Sequence, residues 1–347
     1  MCVCVCVNAF TGMHIDYSNL ISIENIFQAW SEFRKGKSKR LNVQIFERNL
    51  EDNLFELHEQ LETKTYKHGS YQSFYINDPK QRHIHKARVK DRVIHHLLYT
   101  FLYQLFDKIF IYDSYSCRLK KGNHKGVKRL EVFTRKVSRD YTVDCWALKC
   151  DIKKFFASVD HKILLGLLRR KIDDENIMWL LEQIIYSFHS DKGKERGMPL
   201  GNLTSQVFAN IYLNELDRFV KHKLKTQYYI RYADDFLLLS KNKELLYRYV
   251  DVLRQFLNNE LKLELHPDKI IFRKLEWGID FLGYVVLPHY ILPRTKTRRR
   301  IFKKLKEKID LESFNQSLQS YLGYLKHANS YKLTRELKEK FKDSILT

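Results

Sequence analysis

The sequence has few of the residues that make linkers, and it has no long hydrophobic run. Only five of its 347 residues are proline and 12 are glycine, so long flexible linkers are not expected. No stretch approaches the roughly 20 apolar residues of a membrane-spanning helix. The first ten residues, MCVCVCVNAF, are apolar, but they lack a basic segment and are too short for a secretory signal. These absences predict a compact, cytoplasmic protein that does not work in a membrane.

Cysteine is too sparse to build a disulfide framework. The chain has six cysteines, and no two of them form a CxxC pair or a zinc-type Cys/His cluster. Cys2, Cys4 and Cys6 alternate, so in a strand they would share one face. This tail is either a metal or redox site or simply a packed or frayed end. Reduced thiols, as in the cytoplasm, are the expectation.

Acidic residues are strongly outnumbered by basic ones. The chain has 62 Lys and Arg against 41 Asp and Glu, which gives a formal charge of +21. An excess of this size attracts polyanions and speeds their association. Nucleic acid is the expected polyanion, because neutralising its phosphates releases counterions whatever the base sequence. A basic protein that is merely soluble is the alternative from charge alone.

The hydrophobic spacing predicts an irregular mixture of helices and strands, and thus an α+β fold. Apolar residues three and four apart predict helices within 22–64, at 91–110, 173–188, 203–223 and 243–260, and in the last 50 residues. Another helix should begin near Asp160, which can cap it. Strands are predicted at 71–76, 146–152 and 262–266, in two runs within 227–240, and in a hairpin around Pro288-His289. No Gly-rich βαβ fingerprint is present, so a doubly wound nucleotide fold is not expected.

Three acidic residues stand next to apolar strand candidates. Asp234 and Asp235 are adjacent acids between two apolar runs, and burying both without a partner would be costly. An ordinary hairpin turn would explain them without any chemistry. Asp151 ends another apolar run, and if the two segments are neighbours in one sheet, three carboxylates meet at one edge. Such an oxygen-rich cluster suits Mg²⁺, and two ions there would support an in-line phosphoryl transfer.

These acids lie within an ordered series of motifs that resembles the reverse transcriptases. YADD at 232–235 resembles the central box of that family, and DIKKFFASVDH at 151–161 resembles its first metal-binding box. The other matching segments are Arg82 ahead of Asp91-Arg92, DSYSCRLKKGNHKGVKRL (113–130), GMPLGNLTSQVFANIYLNELD (197–217), HPDKI (266–270) and FLGY (281–284). The similarity covers roughly residues 20–345. Several boxes in the right order are far more specific than a YADD box alone.

The resemblance implies an α+β right-hand polymerase with fingers, a palm on an antiparallel sheet, and a helical thumb. The boundaries expected are an N-terminal tail at 1–20, fingers with part of the palm at 21–145, the palm with the active site at 146–290, and the thumb at 291–347. The implied activity is RNA-directed DNA polymerisation. Its partners would be template RNA, a primer or cDNA strand, and dNTPs, and its cofactors two Mg²⁺ ions, for which Mn²⁺ can substitute.

The resemblance also assigns roles to individual residues. The expected metal ligands are Asp151, the Ile152 carbonyl, Asp234 and, as a weaker ligand, Asp235, with Lys269 as a general acid for the leaving pyrophosphate. The expected nucleotide contacts are Lys80 and Arg82 to the triphosphate, Phe156 under the sugar, where it would exclude a 2′-hydroxyl, and Leu200-Gly201 near the base. Contacts to template or duplex are expected from Arg118, Lys120, Lys121, Gln206, Arg298, Arg299, Arg300 and Lys303. The ordinary alternatives are a core phenylalanine, surface lysines, salt-bridged arginines and, for the basic segment 294–308, a docking face for an acidic or RNA-bound partner.

The middle box departs from the usual intron-type pattern. Leu200-Gly201 and Ser205-Gln206 stand where most intron-type enzymes have Gln-Gly and Ser-Pro. This variant resembles reverse transcriptases of diversity-generating retroelements, which copy RNA with errors at adenines and work with a small accessory protein. An aliphatic Leu200 would remove a polar contact, and discrimination by apolar fit is weaker than discrimination by hydrogen bonding. Relaxed fidelity is the hypothesis, and a well-packed Leu200 without effect on fidelity is the alternative.

Other classes of protein stay open from the sequence. The first is another bacterial reverse transcriptase of the retron, defence-associated or intron-derived kind. The second is an RNA-dependent RNA polymerase, which shares the paired aspartates but against which Phe156 argues. The third is an RNA-binding protein with an inactive palm, against which the presence of all three carboxylates argues.

Overall fold

The computed structural model describes residues 16–77, 80–307 and 311–341. The tail that contains Cys2, Cys4 and Cys6 lies outside these ranges. The described helices are α1 (Tyr17–Leu20), α2 (Ile23–Arg34), α3 (Leu41–Arg48), α4 (Leu50–Glu62), α5 (Val89–Phe106), α6 (Asn123–Val137), α7 (Phe155–Ser158), α8 (His161–Arg169), α9 (Glu175–Ile185), α10 (Leu203–Arg218), α11 (Lys243–Leu261), α12 (Thr295–Lys306), α13 (Leu311–Leu325) and α14 (Tyr331–Lys340). None of them is both long enough and apolar enough to cross a membrane.

The strands form three separate antiparallel sheets in the described part of the chain. They are β1 (Gln72–Ile76), β2 (Arg82–Lys86), β3 (Trp146–Asp151), β4 (Tyr229–Tyr232), β5 (Asp235–Ser240), β6 (Ile271–Lys274), β7 (Ile279–Phe281), β8 (Tyr284–Leu287) and β9 (Tyr290–Pro293). The central sheet has the order β4-β5-β3-β6, while β1-β2 is a hairpin and β7-β8-β9 a three-stranded meander. The predicted hairpin around Pro288-His289 is therefore confirmed as β8–β9.

The central sheet is covered on both faces, which explains its continuous apolar runs. Leu148 and Cys150 of β3 lie in a large core with α10 and α11. Ala147 lies in a second core with α6 and the β7-β8-β9 sheet. Because successive strand residues point to opposite faces, both sets must be apolar. Asp151 and Asp235 lie at one end of the β3–β5 strand pair, and both are half-buried.

Local capping sets where several helices begin. The backbone nitrogen of Ile163 donates to the Asp160 carboxylate at 3.1 Å, so the predicted cap of α8 is confirmed. Asn242 caps α11 in the same way, through the nitrogen of Leu245 at 3.1 Å. The helix predicted at 203–223 is α10 followed by a π-helical turn over residues 219–223.

The strand predicted at 262–266 is wrong. Helix α11 ends at Lys262, which has a left-handed φ of 52°, and the segment that follows makes only an isolated bridge between Leu265 and Ile152. The edge strand beside β3 is instead β6. The KLELH pattern is apolar at Leu263 and Leu265 because both side chains are buried against the large core, not because they belong to a ladder.

The last three helices have a core of their own, which includes Ile301, Leu305, Phe314, Leu325 and Leu337. This helical region is joined to the β7-β8-β9 sheet by tyrosines. The Tyr324 hydroxyl donates to the carbonyl of Gly283 at 2.6 Å, and the Tyr284 hydroxyl donates to the carbonyl of Tyr324 at 2.9 Å. The predicted helices of the last 50 residues are present.

Candidate active site

Three carboxylates meet at one end of the central sheet. Strands β3 and β5 pair with Asp151 directly opposite Asp235. Asp234 comes immediately before β5, in the turn from β4, where Ala233 has a left-handed φ of 53°. The backbone nitrogen of Ile152 donates to the carbonyl of Asp234 at 3.2 Å, which ties this turn to the end of β3. The structure thus brings together the acids that the sequence places far apart.

The surroundings of Asp234 and Asp235 oppose their ionisation. Burial raises the pKa of Asp234 above its ordinary value, and the negative charge of Asp151 raises it further. Burial likewise raises the pKa of Asp235 to about 6, although Lys149 partly offsets this. One carboxylate oxygen of Asp235, Oδ1, is buried without a hydrogen-bond partner. A hard cation beside the acids would relieve all of these conditions, so the residues present fit an oxygen-seeking metal ion.

Two lysines already pair with this acidic edge. Lys269 Nζ lies 2.7 Å from Asp151 Oδ1, and Lys149 Nζ lies 3.2 Å from Asp235 Oδ2. Lys149 also donates to the carbonyl of Asp280 at 3.0 Å. Although the three acids lie at one edge of the sheet, no group of three His, Cys, Asp or Glu side chains within residues 16–77, 80–307 and 311–341 has the arrangement of a ready-made metal site.

Lys149 was missed by the sequence reasoning. A signal for it exists, since it lies two residues before Asp151 in a strand that is otherwise apolar. Residues two apart in a strand share a face, so this lysine had to point to the same side as the acid.

The adjacent residues Phe155 and Phe156 differ in burial. They lie in the short helix α7, which begins after Lys154 with its left-handed φ of 47°, and not in a strand. Phe155 is only 1% exposed and belongs to the large core, whereas Phe156 is half-buried. The carbonyl of Phe156 accepts a hydrogen bond from the nitrogen of Met198 at 2.8 Å. Phe156 is therefore the more exposed of the two rings.

The loop before α10 packs against the β1-β2 hairpin. The carbonyl of Leu200 accepts a hydrogen bond from the nitrogen of His85 at 2.8 Å. Gly201 has a φ of +116°, and a Cβ at this position would lie only 2.8 Å from Cγ2 of Ile84. Arg82 is exposed on the same hairpin, and its charge is among the influences on the pKa of Asp234. Leu200 and Gly201 thus form one wall with the hairpin that carries Arg82, and of these residues it is Arg82 whose charge reaches the acids.

Comparison with known proteins agrees with this geometry. The sequence pattern of the family described as "Reverse transcriptase (RNA-dependent DNA polymerase)" matches residues 67–286. The chain belongs to the reverse transcriptase family. This family match spans the hairpin, the acidic edge, both lysines and the β7-β8 pair.

Two curated relatives of this reverse transcriptase come from bacteria. The group II intron-encoded protein LtrA of Lactococcus lactis is 24% identical over 303 residues, which cover 67% of this chain and 49% of LtrA. The protein YkfC of Escherichia coli is 25% identical over 241 residues, covering 56% of this chain and 60% of YkfC. The chain thus spans about half to three fifths of these relatives' length.

Solved structures show the same architecture. Apo telomerase from Candida tropicalis superposes with a TM-score of 0.54 at 13% identity, over 84% of this chain and 63% of the telomerase chain. Telomerase from Candida albicans, in complex with a fragment of telomeric RNA, gives 0.52 at 13% identity, over 87% of this chain and 60% of that one. This structural similarity confirms the predicted right-hand polymerase fold. The domain boundaries drawn at residues 20, 145 and 290 stay predictions.

A cavity of about 200 Å³ in this reverse transcriptase gathers positive charge next to Gln206. Its lining includes four cationic side chains, Lys37, Arg40, Lys86 and Arg92. Burial, followed by the charge of Arg40, lowers the pKa of Arg92 to about 10, and two nitrogens of its guanidinium are buried without a partner. The four cations repel one another, and no carboxylate is among the lining residues. A bound anion would therefore stabilise this cavity.

The structure corrects the role expected of Arg118. Its side chain is only 8% exposed and pairs with Asp107 at 2.6 Å. It also donates to the carbonyl of Ile111 at 2.7 Å. The Arg118 guanidinium is therefore already engaged by partners within the protein. Its neighbour Lys120 is exposed, and the ammonium of Lys121 lies 3.4 Å from the ring centroid of Tyr112.

The other residues expected to contact nucleic acid lie at the surface or close to it. On α12, Arg299 and Lys303 are exposed and Arg300 is half-buried. Arg298 is half exposed and pairs with Glu336 of α14 at 2.7 Å, so a nucleic acid would compete with that glutamate. Lys80 is exposed at the end of the β1-β2 hairpin.

Proposed function

We propose that this chain is an RNA-directed DNA polymerase that extends a primer on an RNA template by two-metal-ion nucleotidyl transfer. The observation that carries the proposal is the meeting of Asp151 with Asp235 in strand register, with Asp234 in the adjoining turn. The raised pKa values of Asp234 and Asp235 and the unpaired buried oxygen of Asp235 support the proposal, because added positive charge would stabilise such a site.

The acids and one carbonyl are the proposed ligands for two Mg²⁺ ions, with Mn²⁺ as a substitute. Asp151, Asp234 and the Ile152 carbonyl would hold them, with Asp235 as a weaker ligand, since oxygen donors suit these hard cations. When bound, the ions stabilise the attacking and leaving oxygens of the transfer. Lys269, whose ammonium reaches this edge at Asp151, is the proposed acid that protonates the leaving pyrophosphate.

The wall beside the acids is the proposed nucleotide site. Arg82 and Lys80 would hold the triphosphate of the incoming dNTP, because guanidinium and ammonium donors match phosphate oxygens. Phe156, the more accessible of the two rings, would lie under the sugar and exclude a 2′-hydroxyl. Leu200 and Gly201 would face the base, held in place by their contacts to β2.

Template and duplex would follow the cationic surfaces. The cavity beside Gln206, with Arg92 and three other cations, supports a proposed contact to the template backbone. Lys120, Lys121 and the basic face of α12 support contacts to the primer–template duplex, which proteins recognise mainly by backbone and shape. Arg118 is left out of this assignment because it is paired inside the protein.

Primer extension on a defined RNA template with dNTPs and Mg²⁺ tests the proposal. Wild type should extend the primer, and Asp234→Asn should lower the rate by about 10³-fold or more, because it removes a charged ligand from the reacting centre. Asp251→Asn is the matched control, since Asp251 is an exposed aspartate on α11, 73% accessible, and should leave the rate unchanged. Equal rates in Asp234→Asn and wild type, or extension with NTPs as readily as with dNTPs, would refute the assignment.

We further propose that the chain is the error-prone type found in diversity-generating retroelements, with a small accessory protein as its partner. The support is Leu200 at the wall of the nucleotide site, where an aliphatic side chain offers no hydrogen bond to check the substrate. Sequencing of the cDNA made from an adenine-containing template should show substitutions concentrated at adenines, and Leu200→Gln should reduce them.

An intron-derived reverse transcriptase is the second candidate, favoured by the similarity to LtrA. On this alternative, wild-type errors would be rare and spread over all four template bases, and Leu200→Gln would change nothing. The polymerase proposal would stand in either case.

A further inference from the structure

Arg231 is a fully buried arginine two residues ahead of the catalytic turn. It lies in β4, and its side chain has no exposure to solvent. Its Nε and Nη2 donate to the two carboxylate oxygens of Asp217 at 2.7 and 2.6 Å. Asp217, at the far end of α10, is equally buried and also accepts a hydrogen bond from the Tyr229 hydroxyl at 2.7 Å.

The remaining nitrogen of this guanidinium reaches the turn itself. Arg231 Nη1 donates to the carbonyl of Ala233 at 3.1 Å and lies 3.3 Å from the side-chain oxygen of Asn210. Ala233 has the left-handed φ of 53°, a conformation that a residue with a side chain keeps only where its surroundings enforce it. Because Ile152 holds the carbonyl of Asp234, both carbonyls next to the Asp234 Cα are fixed by hydrogen bonds.

The group that holds the turn is itself rigidly attached. The Asn210 side chain donates to the carbonyl of Ser116 at 2.9 Å, and the nitrogen of Tyr115 donates to the carbonyl of Arg231 at 2.9 Å. Arg231 is therefore fixed through its backbone by the 113–116 segment and through its side chain by α10. Displacement of the turn would require breaking this set of contacts together.

A buried ion pair is not the simplest way to stabilise a core, because apolar side chains of similar volume often stabilise it as well or better. A planar guanidinium differs from an apolar pair because two of its nitrogens can donate to a carboxylate while the third donates to a backbone carbonyl. We infer that Arg231, anchored by Asp217, is a positioning residue that holds the Ala233 carbonyl and so sets the direction of the Asp234 carboxylate. This inference rests on the polymerase function proposed above.

The double variant Arg231→Met/Asp217→Leu separates positioning from stability. It removes both charges, so neither is left buried and unpaired, and it removes the donor to the Ala233 carbonyl. We expect a folded protein whose Mn²⁺ dissociation constant, measured from the electron paramagnetic resonance signal of free Mn²⁺, rises about tenfold or more. The Mg²⁺ concentration for half-maximal extension should rise in parallel, while the dissociation constant for primer–template stays within about twofold, because a misdirected carboxylate affects the metal and not the duplex.

Two single variants complete the test. Tyr229→Phe removes one hydrogen bond to Asp217 but leaves the contact to Ala233, so its metal response should match wild type. Arg231→Lys keeps a cation opposite Asp217, but one ammonium cannot reproduce all three contacts, so its Mn²⁺ binding should weaken like that of the double variant. If the double variant does not fold, Arg231→Lys decides on the same readouts.

Wild-type Mn²⁺ affinity in a folded double variant, or in folded Arg231→Lys, would overturn the inference and leave Arg231 as an ordinary core residue. So would a loss of metal binding in Tyr229→Phe as large as that in Arg231→Lys. Failure of the proposed function looks different, because wild type itself would then extend no primer while the Mn²⁺ titrations would still report on the turn.

Discussion

Replacing Gly201 with alanine should disturb the β1-β2 hairpin and the proposed nucleotide site together. Two separate effects act at this position. The φ of +116° is strained for any residue with a Cβ, which costs about 1–3 kcal/mol. The new Cβ would also lie 2.8 Å from Cγ2 of Ile84, well inside the roughly 3.5–4.0 Å of a favourable carbon–carbon contact.

Overpacking of this kind costs typically about 1–3 kcal/mol, so the two effects together predict a loss of about 2–6 kcal/mol in the free energy of unfolding. Part of the clash can be relieved if the β1-β2 hairpin moves outward. That movement would carry Arg82 away from the acids, so the KM for dNTP should rise in Gly201→Ala. Urea denaturation and steady-state primer extension measure the two consequences separately.

Gly193→Ala is the matched control for backbone strain alone. Gly193 has a similar φ of +135°, but a Cβ there would meet nothing within 4 Å. The Gly193→Ala variant should lose about 1–3 kcal/mol in the free energy of unfolding and keep the wild-type KM for dNTP. Ile84→Ala should restore part of the stability and the KM of Gly201→Ala, because it removes the clashing methyl group. The reasoning is refuted if Gly201→Ala and Gly193→Ala lose equal stability and both keep the wild-type KM.

Three further predictions concern the sugar contact, acid stability and the cationic cavity. Phe156→Val should raise ribonucleotide incorporation relative to dNTP by about tenfold or more, because it opens space for a 2′-hydroxyl; Phe155→Val, in the core, should cost stability without changing that ratio. Burial, and then the charges of Lys37 and Arg92, lower the pKa of His96 to about 3. Below pH 6.5 the unfolded chain therefore binds a proton on His96 that the folded chain does not bind. The contribution of neutral His96 to the free energy of unfolding is complete above pH 6.5 and is lost as the pH falls toward 3. At pH 5 His96 alone should lower the free energy of unfolding by roughly 2 kcal/mol. Urea denaturation at pH 7.5 and at pH 5 should therefore show a smaller acid-induced loss of stability for His96→Phe than for wild type. Equal losses would contradict the lowered pKa of His96. Lys37→Gln/Arg40→Gln should weaken RNA binding and reduce the slope of log affinity against log salt by about 1–2, whereas Lys262→Gln, at an exposed helix end, should change neither by as much.

The parts of the fold that follow from local pattern were predictable from the sequence. Strand β3 and the β4–β5 hairpin were found because both faces of the sheet are buried, which leaves continuous apolar runs. The start of α8 was found because Asp160 caps it through a hydrogen bond only three residues away. The meeting of the acids required one further assumption, that the two apolar segments pair in a single sheet.

The parts that the sequence did not predict depend on which partner a residue meets in the folded chain. The KLELH segment has a strand-like pattern, but pairing is decided by which segment lies beside β3, and β6 occupies that edge. Arg118 was expected to contact the template because its motif, residues 113–130, gives no sign of the ion pair that Arg118 forms with Asp107. Lys149 and Arg231 were overlooked because single basic residues within apolar strands acquire a role only through contacts made in the folded chain.

The acidic edge already carries two side-chain cations, Lys149 and Lys269. Ammonium groups of the chain itself pair with Asp235 and Asp151, so two of the three acids have a counterion when no metal ion is bound. A chelator that removes divalent cations should therefore inhibit this protein reversibly, without the unfolding that follows when a structural zinc ion is withdrawn. A divalent cation that binds there would have to displace these two ammonium groups, so the activity of the proposed polymerase should depend steeply on the concentration of free Mg²⁺.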